Sequence, residues 1–299
     1  MLLSTILKIY NSGMTNQKAL FIYNAKSGKG KIVKHLDYIK QELTPCFEKL
    51  DIVESKDEEH FIKICKISCT DYDVLLFAGG DGTFNMVVNA LYTMEKRPIL
   101  GIIPCGTIND AAKNFGITRN FKKAVRFIKK GKVSSFDICS INDKCFVFAA
   151  AIGAYADIPY KTKVKKKKYL GAFAYYFKAI PSIFKPISLK GVATFKDGRK
   201  VNFKTPFVLI MNGTNIGGFK INPKSCITDG KFDLFLSRPS IFNSLLTYLF
   251  FRRRIKHFNI DQVTIKCDSL DYWDIDGEKG PCGEVTIKSL KHYLSIFSK

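Results

Sequence analysis

The chain has 299 residues, 46% of them hydrophobic, so it is long enough for two domains and too apolar for a disordered protein. Its 48 lysines and arginines outnumber 26 acidic residues, and the resulting net charge of +22 suits an anionic partner, either an acidic membrane surface or nucleic acid. The nine cysteines stand singly without a C-x-x-C pair, which argues against a zinc site or a disulfide framework and indicates reduced thiols of a cytoplasmic protein.

The apolar segments are too short to cross a membrane. Residues 1–10 are apolar but lack a small-residue cleavage site, so we do not expect a signal peptide. The apolar run at 241–251 is far shorter than the roughly 20 residues that a spanning helix needs. We therefore expect a cytoplasmic protein that can touch a membrane without crossing it.

The first half of the chain alternates predicted strands and helices, which indicates a parallel sheet with helices on its faces. The predicted strands are 20–23, 50–53, 74–78 and 99–103, and the predicted helices include 32–43 and 58–67 and one that starts at Phe84. Residues 74–78 are a continuous apolar run with the length of a buried strand, and apolar residues from Phe84 to Leu91 follow at helical spacing.

A glycine-rich loop, Gly79-Gly80-Asp81-Gly82-Thr83, joins that strand to that helix. The loop lies at the amino end of a helix, where backbone N–H groups attract anions. The glycines let the backbone lie close to a ligand, Asp81 can hold a magnesium ion, and Thr83 can bond a phosphate oxygen. We interpret the loop as a phosphate site rather than an ordinary turn.

Two further loops follow strands of the same predicted sheet. The segment 24–31, Asn-Ala-Lys-Ser-Gly-Lys-Gly-Lys, is not a Walker loop, and Lys29 and Lys31 read by themselves as solvated charges. The strand 99–103 leads to Gly106-Thr107-Ile108-Asn109-Asp110, in which Thr107 or Asn109 could also act as a helix N-cap.

These loops carry a resemblance to known kinases. Gly-Gly-Asp-Gly-Thr resembles the nucleotide loop of diacylglycerol, sphingosine and NAD kinases and, with a small change, phosphofructokinases. The segment 106–110 matches the Gly-Thr-x-Asn-Asp of lipid kinases, whereas NAD kinases place an Asn-Glu pair after their own strand. The segment from Asn24 resembles the lipid-kinase pattern Asn-Pro-x-Ser-Gly, with Ala25 in place of the proline.

The resemblance implies ATP and Mg²⁺ as cofactors and a set of nucleotide-binding residues drawn from four strand ends. These are Asn24, Ser27, Gly28, Ser55, Gly79, Gly80, Asp81, Gly82, Thr83, Asn85, Gly106, Thr107, Asn109 and Asp110.

From Ser135 onward the pattern changes to strands. They are predicted at 136–141, 145–151, 189–195, 200–204, 207–211, 232–236, 263–267, 272–275 and 284–288. Lys196-Asp197-Gly198-Arg199 reads as a hairpin turn. Two amphipathic helices are predicted at 169–180 and 241–255, each beside a block of cations. They fit interfacial helices and ordinary core helices equally well.

A second acidic segment, Asp276-Gly277-Glu278, follows the predicted strand 272–275. A kinase that acts on an alcohol needs a carboxylate beside the hydroxyl to accept its proton. By itself the tripeptide is a common turn, but in this order after the other loops it resembles the Asp-Gly-Glu of diacylglycerol and sphingosine kinases. We assign Asp276 as the general base and Glu278 as its partner or alternative.

The resemblance also implies cation ligands. Asp137 matches an aspartate that the family places near the metal, which suggests a water-bridged network of Asp81, magnesium and Asp137. Asp229, with the backbone carbonyls of Cys226 and Lys231, resembles a second, structural cation site of bacterial members. A simple Asp-Gly turn is the alternative for that segment.

The predicted fold is α/β. Residues 14–134 form a parallel-sheet nucleotide-binding domain like that of NAD kinases and phosphofructokinases, and the resemblance suggests that 289–299 return to it. Residues 135–288 form an antiparallel β-sandwich that receives the lipid, with the nucleotide in the cleft between the domains.

The resemblance implies an ATP-dependent lipid kinase that phosphorylates a membrane lipid alcohol, with diacylglycerol favoured. The alternatives are an NAD kinase-like enzyme, a kinase of a sphingoid base or other lipid, and a non-catalytic binder of nucleotide or nucleic acid. We expect a peripheral protein at the inner face of an anionic membrane that binds no nucleic acid. Its oligomeric state is open, with a homodimer as one candidate.

Overall fold

The computed structural model describes residues 14–26, 30, 32–106, 108–117, 120–153, 189–216, 219–237 and 255–298. The chain divides into two compact units. The first consists of the described residues of Met1–Phe136 and Tyr293–Lys299, and the second is made of those of Asp137–His292.

The first unit contains a parallel sheet and five α-helices within its described residues. Its strands are β1 (Lys18–Tyr23), β2 (Lys49–Glu54), β3 (Val74–Gly79) and β4 (Ile99–Pro104), in the order β2-β1-β3-β4. The helices are α1 (Leu36–Leu43), α2 (Glu58–Asp71), α3 (Asp81–Leu91), α4 (Asp110–Asn114) and α5 (Phe121–Lys130). Short 3-10 turns span Val33–His35 and Thr44–Cys46.

The centre of this unit is β3, in which every residue is buried. Its apolar run has no polar side chain to place in water, so the strand lies between two neighbours with helices covering the sheet. Parallel strands with crossover helices bring all their carboxyl ends to one edge, which is where the predicted glycine loops lie.

The second unit is a β-sandwich. One sheet has the order β14-β13-β10-β7-β16-β17, and the other contains β5, β6, β8, β9, β15 and the start of β18. The bounds are β5 (Val133–Ile141), β6 (Lys144–Phe146), β7 (Ala149–Gly153), β8 (Leu189–Phe195), β9 (Lys200–Thr205), β10 (Phe207–Met211), β11 (Asn215–Ile216), β12 (Phe219–Lys220), β13 (Phe232–Ser237), β14 (Ile255–Ile260), β15 (Gln262–Cys267), β16 (Tyr272–Ile275), β17 (Glu278–Cys282) and β18 (Val285–Phe297).

Alternate residues of the two sheets face each other in one apolar core, and Trp273 is its largest fully buried side chain. The chain passes between the units within β5 and within β18. The last residues of β18 pair with β4 in parallel at Ile296 and Leu100.

The fold class is as predicted, and the hairpin at 196–199 is confirmed by the antiparallel pairing of β8 with β9. Two strand predictions were wrong in detail. The strand predicted at 145–151 is two strands separated at Val147 and Phe148, and the strand predicted at 284–288 extends to Phe297. The strands at Ile255–Ile260 and Glu278–Cys282 and the short strands β11 and β12 were not predicted.

The two predicted amphipathic helices, 169–180 and 241–255, lie outside the described residues except for Ile255, which begins β14. Within the part of the chain that the structure describes, no helix has the length and hydropathy needed to span a membrane.

Candidate active site

The loop after β3 forms the amino end of α3. Gly80 is the N-cap residue and has no side chain with which to cap the helix. The N–H groups of the first helical turn are therefore directed at the loop without a side-chain acceptor from the N-cap, which is the arrangement of a phosphate site at a helix N-terminus.

Three of the predicted glycines are required by close packing within the protein. A Cβ atom on Gly80 would lie 2.9 Å from the Cα atom of Gly106, and one on Gly106 would lie 2.6 Å from the Cα atom of Gly80. A Cβ atom on Gly79 would lie 2.3 Å from the Cβ atom of Thr83. In contrast, a Cβ atom on Gly82 would meet no described residue within 4 Å outside its own helical turn, so the space beside Gly82 is open with respect to that part of the chain.

Asn109 fixes the second glycine loop. Its Oδ1 accepts the N–H of Gly106 at 2.9 Å, and its Nδ2 donates to the carbonyl of Gly106 at 2.7 Å. Asn109 is buried and has φ +54°, a left-handed conformation that asparagine tolerates better than most residues. Both hydrogen bonds of the Asn109 amide therefore stabilise the backbone conformation of the loop. Thr107, the other predicted residue of this loop, lies outside the described residues.

Asp81 joins the two loops. Its carboxylate accepts the N–H of Ala111, at the start of α4, at 2.8 Å. Burial raises the pKa of the Asp81 carboxyl above its usual value, with a smaller contribution from the negative charge of Asp110, while Ala111 and Lys113 act in the opposite direction. Asp110 itself pairs with Lys113 at 2.9 Å.

A cavity of about 380 Å³ lies at this edge of the sheet. It brings together three predicted residues, Asn24, Ser55 and Thr83. Sequence reasoning missed the other lining residues, which are Lys26, Asp57, Glu58, Phe61, Ala78 and Met86. The sequence does hold one signal that could have identified them, which is their position: most of them follow the carboxyl end of a strand at this edge of the sheet.

Some predicted nucleotide residues have other partners. The hydroxyl of Ser55 donates to the carbonyl of Tyr23 at 3.3 Å, and Oδ1 of Asn24 accepts the N–H of Lys26 at 2.8 Å. Asn85 is buried, and its side-chain oxygen accepts Nδ2 of Asn89 at 2.9 Å. Ser27 and Gly28 lie outside the described residues.

In the second unit, Asp276 and Gly277 form the two-residue turn between β16 and β17. Ile275 pairs with Glu278 across it, and the φ values of the two turn residues are +53° and +89°. A tight hairpin turn with two positive φ values favours Asp-Gly, so this dipeptide has a structural reason to be here.

The Asp276 carboxylate is bound by three consecutive backbone N–H groups. Oδ2 accepts from Val147 at 2.6 Å, and Oδ1 accepts from Phe148 and Ala149, each at 2.9 Å. These N–H groups belong to the bend between β6 and β7. By contrast, Glu278 is exposed, and its carboxylate has no hydrogen bond or ion pair to any residue that the structure describes.

Asp137 is fully buried at the centre of β5. Its two carboxylate oxygens accept the backbone N–H groups of Gly230, at 2.6 Å, and of His292, at 2.7 Å. This environment does not fit a direct magnesium ligand, because the oxygens are enclosed and already accept short hydrogen bonds. The water-bridged network with Asp81 stays a prediction.

The segment predicted as a second cation site forms an Asp-Gly turn. Asp229 is exposed and accepts the N–H of Lys231 at 2.9 Å, and Gly230 has φ +76°. Cys226 is also exposed, and its sulfur lies 3.2 Å from the hydroxyl of Thr228. The cation site at Cys226, Asp229 and Lys231 stays a prediction.

Among the described residues, no three His, Cys, Asp or Glu side chains are grouped so as to hold a metal by themselves. Magnesium is commonly held by one or two carboxylates together with substrate phosphates. Asp81 fits that smaller requirement, because a cation would stabilise a half-buried carboxylate whose pKa is raised.

Comparison with known proteins gives the family. Residues 18–141 match the family described as the diacylglycerol kinase catalytic domain. A diacylglycerol kinase of Bacillus subtilis is 30% identical over 284 residues, which cover 88% of this chain and 90% of the relative. A diacylglycerol kinase of Staphylococcus carnosus is 28% identical over 292 residues, covering 94% and 95%.

A crystal structure of a diacylglycerol kinase from Bacillus anthracis superimposes with a TM-score of 0.82 at 26% identity, covering 94% of this chain and 97% of that one. The family match, the relatives and the fold agree with the strand-end loops described above. The chain therefore belongs to the diacylglycerol kinase family and is a diacylglycerol kinase-like lipid kinase.

Proposed function

We propose that this protein transfers the γ-phosphoryl group of ATP to the hydroxyl of a membrane lipid alcohol, with diacylglycerol as the favoured acceptor and phosphatidic acid as the product. The observation that carries the proposal is the amino end of α3, where Gly82 is open on one side, Asp81 supplies a carboxylate, and the next residue, Thr83, lines the 380 Å³ cavity. Diacylglycerol is the substrate class named for the relatives.

The first unit would bind the nucleotide. Backbone N–H groups at the amino end of α3 bind the phosphates, and the hydroxyl of Thr83 adds a side-chain donor. Asp81 would hold Mg²⁺, and the metal would supply charge neutralisation at the transferring phosphoryl group.

The second unit would supply the general base, and the contacts favour Glu278 over Asp276. Asp276 already holds three backbone N–H groups, whereas Glu278 is exposed at the start of β17. The lipid hydroxyl oxygen attacks the γ-phosphorus, its proton passes to the Glu278 carboxylate, and the bond to the bridging oxygen breaks to release ADP.

The acceptor would come from a membrane. The net charge of +22 supports docking at an anionic surface at the inner face of the membrane, because each basic residue near such a surface adds favourable energy. A sphingoid base or another lipid alcohol presents a similar hydroxyl beneath apolar tails, so the acceptor has to be established by assay.

The test is phosphate transfer from labelled ATP to a panel of acceptors. Diacylglycerol, sphingosine, phosphatidylglycerol and a polyprenol are offered in vesicles with and without anionic lipid, and NAD is offered in solution, each with Mg²⁺ or with a chelator. We expect labelled phosphatidic acid, formed only with Mg²⁺ and faster on anionic vesicles. Phosphorylation of NAD without any labelled lipid would overturn the proposal.

A further inference from the structure

The bend between β6 and β7 is held from two sides. On one side its N–H groups bind the carboxylate of Asp276. On the other side its carbonyl groups bind Asn212, the residue that follows β10. The backbone N–H of Asn212 donates to the carbonyl of Phe148 at 2.9 Å, and its Nδ2 donates to the carbonyl of Val147 at 2.9 Å.

The Asn212 side chain is completely buried and acts as a double donor. Besides the carbonyl of Val147, its Nδ2 reaches the backbone carbonyl of Asp137 at 3.0 Å. Its Oδ1 has no hydrogen-bond donor among the described residues. A buried acceptor without a partner lowers the stability of the fold. The favourable contribution of this side chain therefore comes from the two hydrogen bonds that its Nδ2 donates.

A chain of hydrogen bonds connects Asn212 to the turn that precedes the proposed base, Glu278. Asn212 fixes the carbonyls of the bend, and the N–H groups of the bend fix the carboxylate of Asp276. The backbone N–H of Asp276 also donates to the carbonyl of Ala149 at 2.9 Å, within the same bend. Asp276 is the first residue of the turn, and Glu278 is the residue directly after it.

We propose that Asn212 is a positioning residue for the kinase reaction. It holds the bend at 147–149 in the shape that sets the Asp276–Gly277 turn, and so it sets the position of the Glu278 backbone from which the carboxylate extends. This inference rests on the proposed role of Glu278 as general base. It follows that loss of the Nδ2 donor should affect the chemical step and leave nucleotide binding in the first unit unchanged.

The test compares Asn212→Ala and Asn212→Asp with the wild type. The first removes both bonds, and the second keeps the size of the side chain but places an acceptor against two carbonyl oxygens. Thr205→Val is the matched control, because Thr205, the last residue of β9, is as buried as Asn212, and its hydroxyl donates to the carbonyl of Phe207, the first residue of β10, at 2.7 Å. The measurements are kcat, KM for ATP and hydrogen exchange of the amides at 147–149.

We expect kcat to fall at least about tenfold in both Asn212 variants, since small misplacements of a reacting group are costly. KM for ATP should stay within about twofold. The amides at 147–149 should exchange faster than in the wild type, and the control should show none of these changes. If Asn212→Ala does not fold, Asn212→Ser is measured in its place. Because serine keeps one donor, we expect its kcat to lie between that of the wild type and that of Asn212→Asp.

The inference is wrong if the Asn212 variants keep the wild-type kcat, if Asn212→Ser matches the wild type when Asn212→Ala cannot be measured, or if Thr205→Val loses as much activity. Its failure is distinguishable from failure of the proposed base. If Glu278→Gln is inactive while the Asn212 variants have the wild-type kcat, only the positioning role of Asn212 is wrong. If Glu278→Gln keeps full turnover, both the assignment of the base and the positioning role are wrong.

Discussion

The carboxylate of Asp276 accepts the backbone N–H of Val147 at 2.6 Å, although the two residues are 129 positions apart in the chain. This contact separates the roles within Asp-Gly-Glu. Asp276 and Gly277 build the turn and anchor it to the neighbouring strand, whereas Glu278 carries the carboxylate that is open to solvent. The tripeptide therefore combines two residues that build the turn with the residue that we propose as the general base.

Replacing Asp276 by asparagine should destabilise the second unit. The amide keeps one oxygen as an acceptor but puts an NH₂ group where a carboxylate oxygen now receives an N–H. Hydrogen bonds to a charged group are each worth about 1.5–3 kcal/mol, so we expect a loss of at least that size. Thermal or urea unfolding of Asp276→Asn checks it, and an unchanged midpoint would contradict the anchoring role.

Replacing Glu278 by glutamine should remove turnover without changing stability. The side chain is exposed and has no partner among the described residues, so its charge contributes little to the fold. Loss of a general base typically lowers kcat by about 10²–10⁴-fold. Steady-state kinetics with ATP and diacylglycerol measure this, and ATP affinity by calorimetry should match the wild type. A variant with full kcat would refute the assignment.

Two alanine substitutions distinguish a glycine that close packing requires from a glycine with open space beside it. Gly106→Ala brings a Cβ atom within 2.6 Å of both the Gly80 Cα atom and the Asn109 Oδ1 atom, so it should destabilise the first unit. The Cβ atom of Gly82→Ala meets no described residue within 4 Å outside its own helical turn, so this variant should fold normally. If phosphates occupy that open space, Gly82→Ala weakens ATP binding. Equal ATP affinity in Gly82→Ala and wild type would place the phosphates elsewhere.

The pH dependence of stability should report Asp81. Burial raises the pKa of its carboxyl in the folded protein. A carboxyl with a raised folded-state pKa favours folding below its unfolded pKa, and that contribution is lost as the pH rises through the folded pKa. At neutral pH, Asp81→Asn should therefore unfold at a higher temperature than the wild type while its kinase activity is lost.

The advantage of Asp81→Asn should shrink as the pH is lowered to about 4, near the ordinary pKa of aspartate. Differential scanning fluorimetry without nucleotide or divalent cations, at several pH values, checks this. An Asp81→Asn variant that is less stable than the wild type at neutral pH would show that the hydrogen bond to Ala111 outweighs the burial of the charge.

Local sequence patterns were sufficient to predict the strands, loops and helices of the first half. Apolar strands at 74–78 and 99–103, helical spacing after Phe84 and glycine loops at the strand ends are short-range patterns, and the structure has β3, β4 and α3 at those places. The Lys196–Arg199 hairpin could be predicted in the same way, because a tight turn depends on its own residues, here Gly198 with φ +84°.

The partners of the acidic and polar residues depend on contacts between distant parts of the chain, which local patterns do not predict. The break between β6 and β7 lies where the carboxylate of Asp276 binds the N–H groups at 147–149, and nothing near Val147 in the sequence signals it. Likewise, Asp137 is enclosed by backbone groups of Gly230 and His292, about ninety and more than a hundred and fifty residues later.

Local propensity can place a strand, a turn or a glycine, because each depends on neighbours within a few residues. Whether a carboxylate anchors backbone or stays open for chemistry depends on which distant N–H groups the fold brings to it. For this reason the Asp-Gly-Glu segment was recognisable from the sequence, while the preference for Glu278 over Asp276 required the packed sandwich.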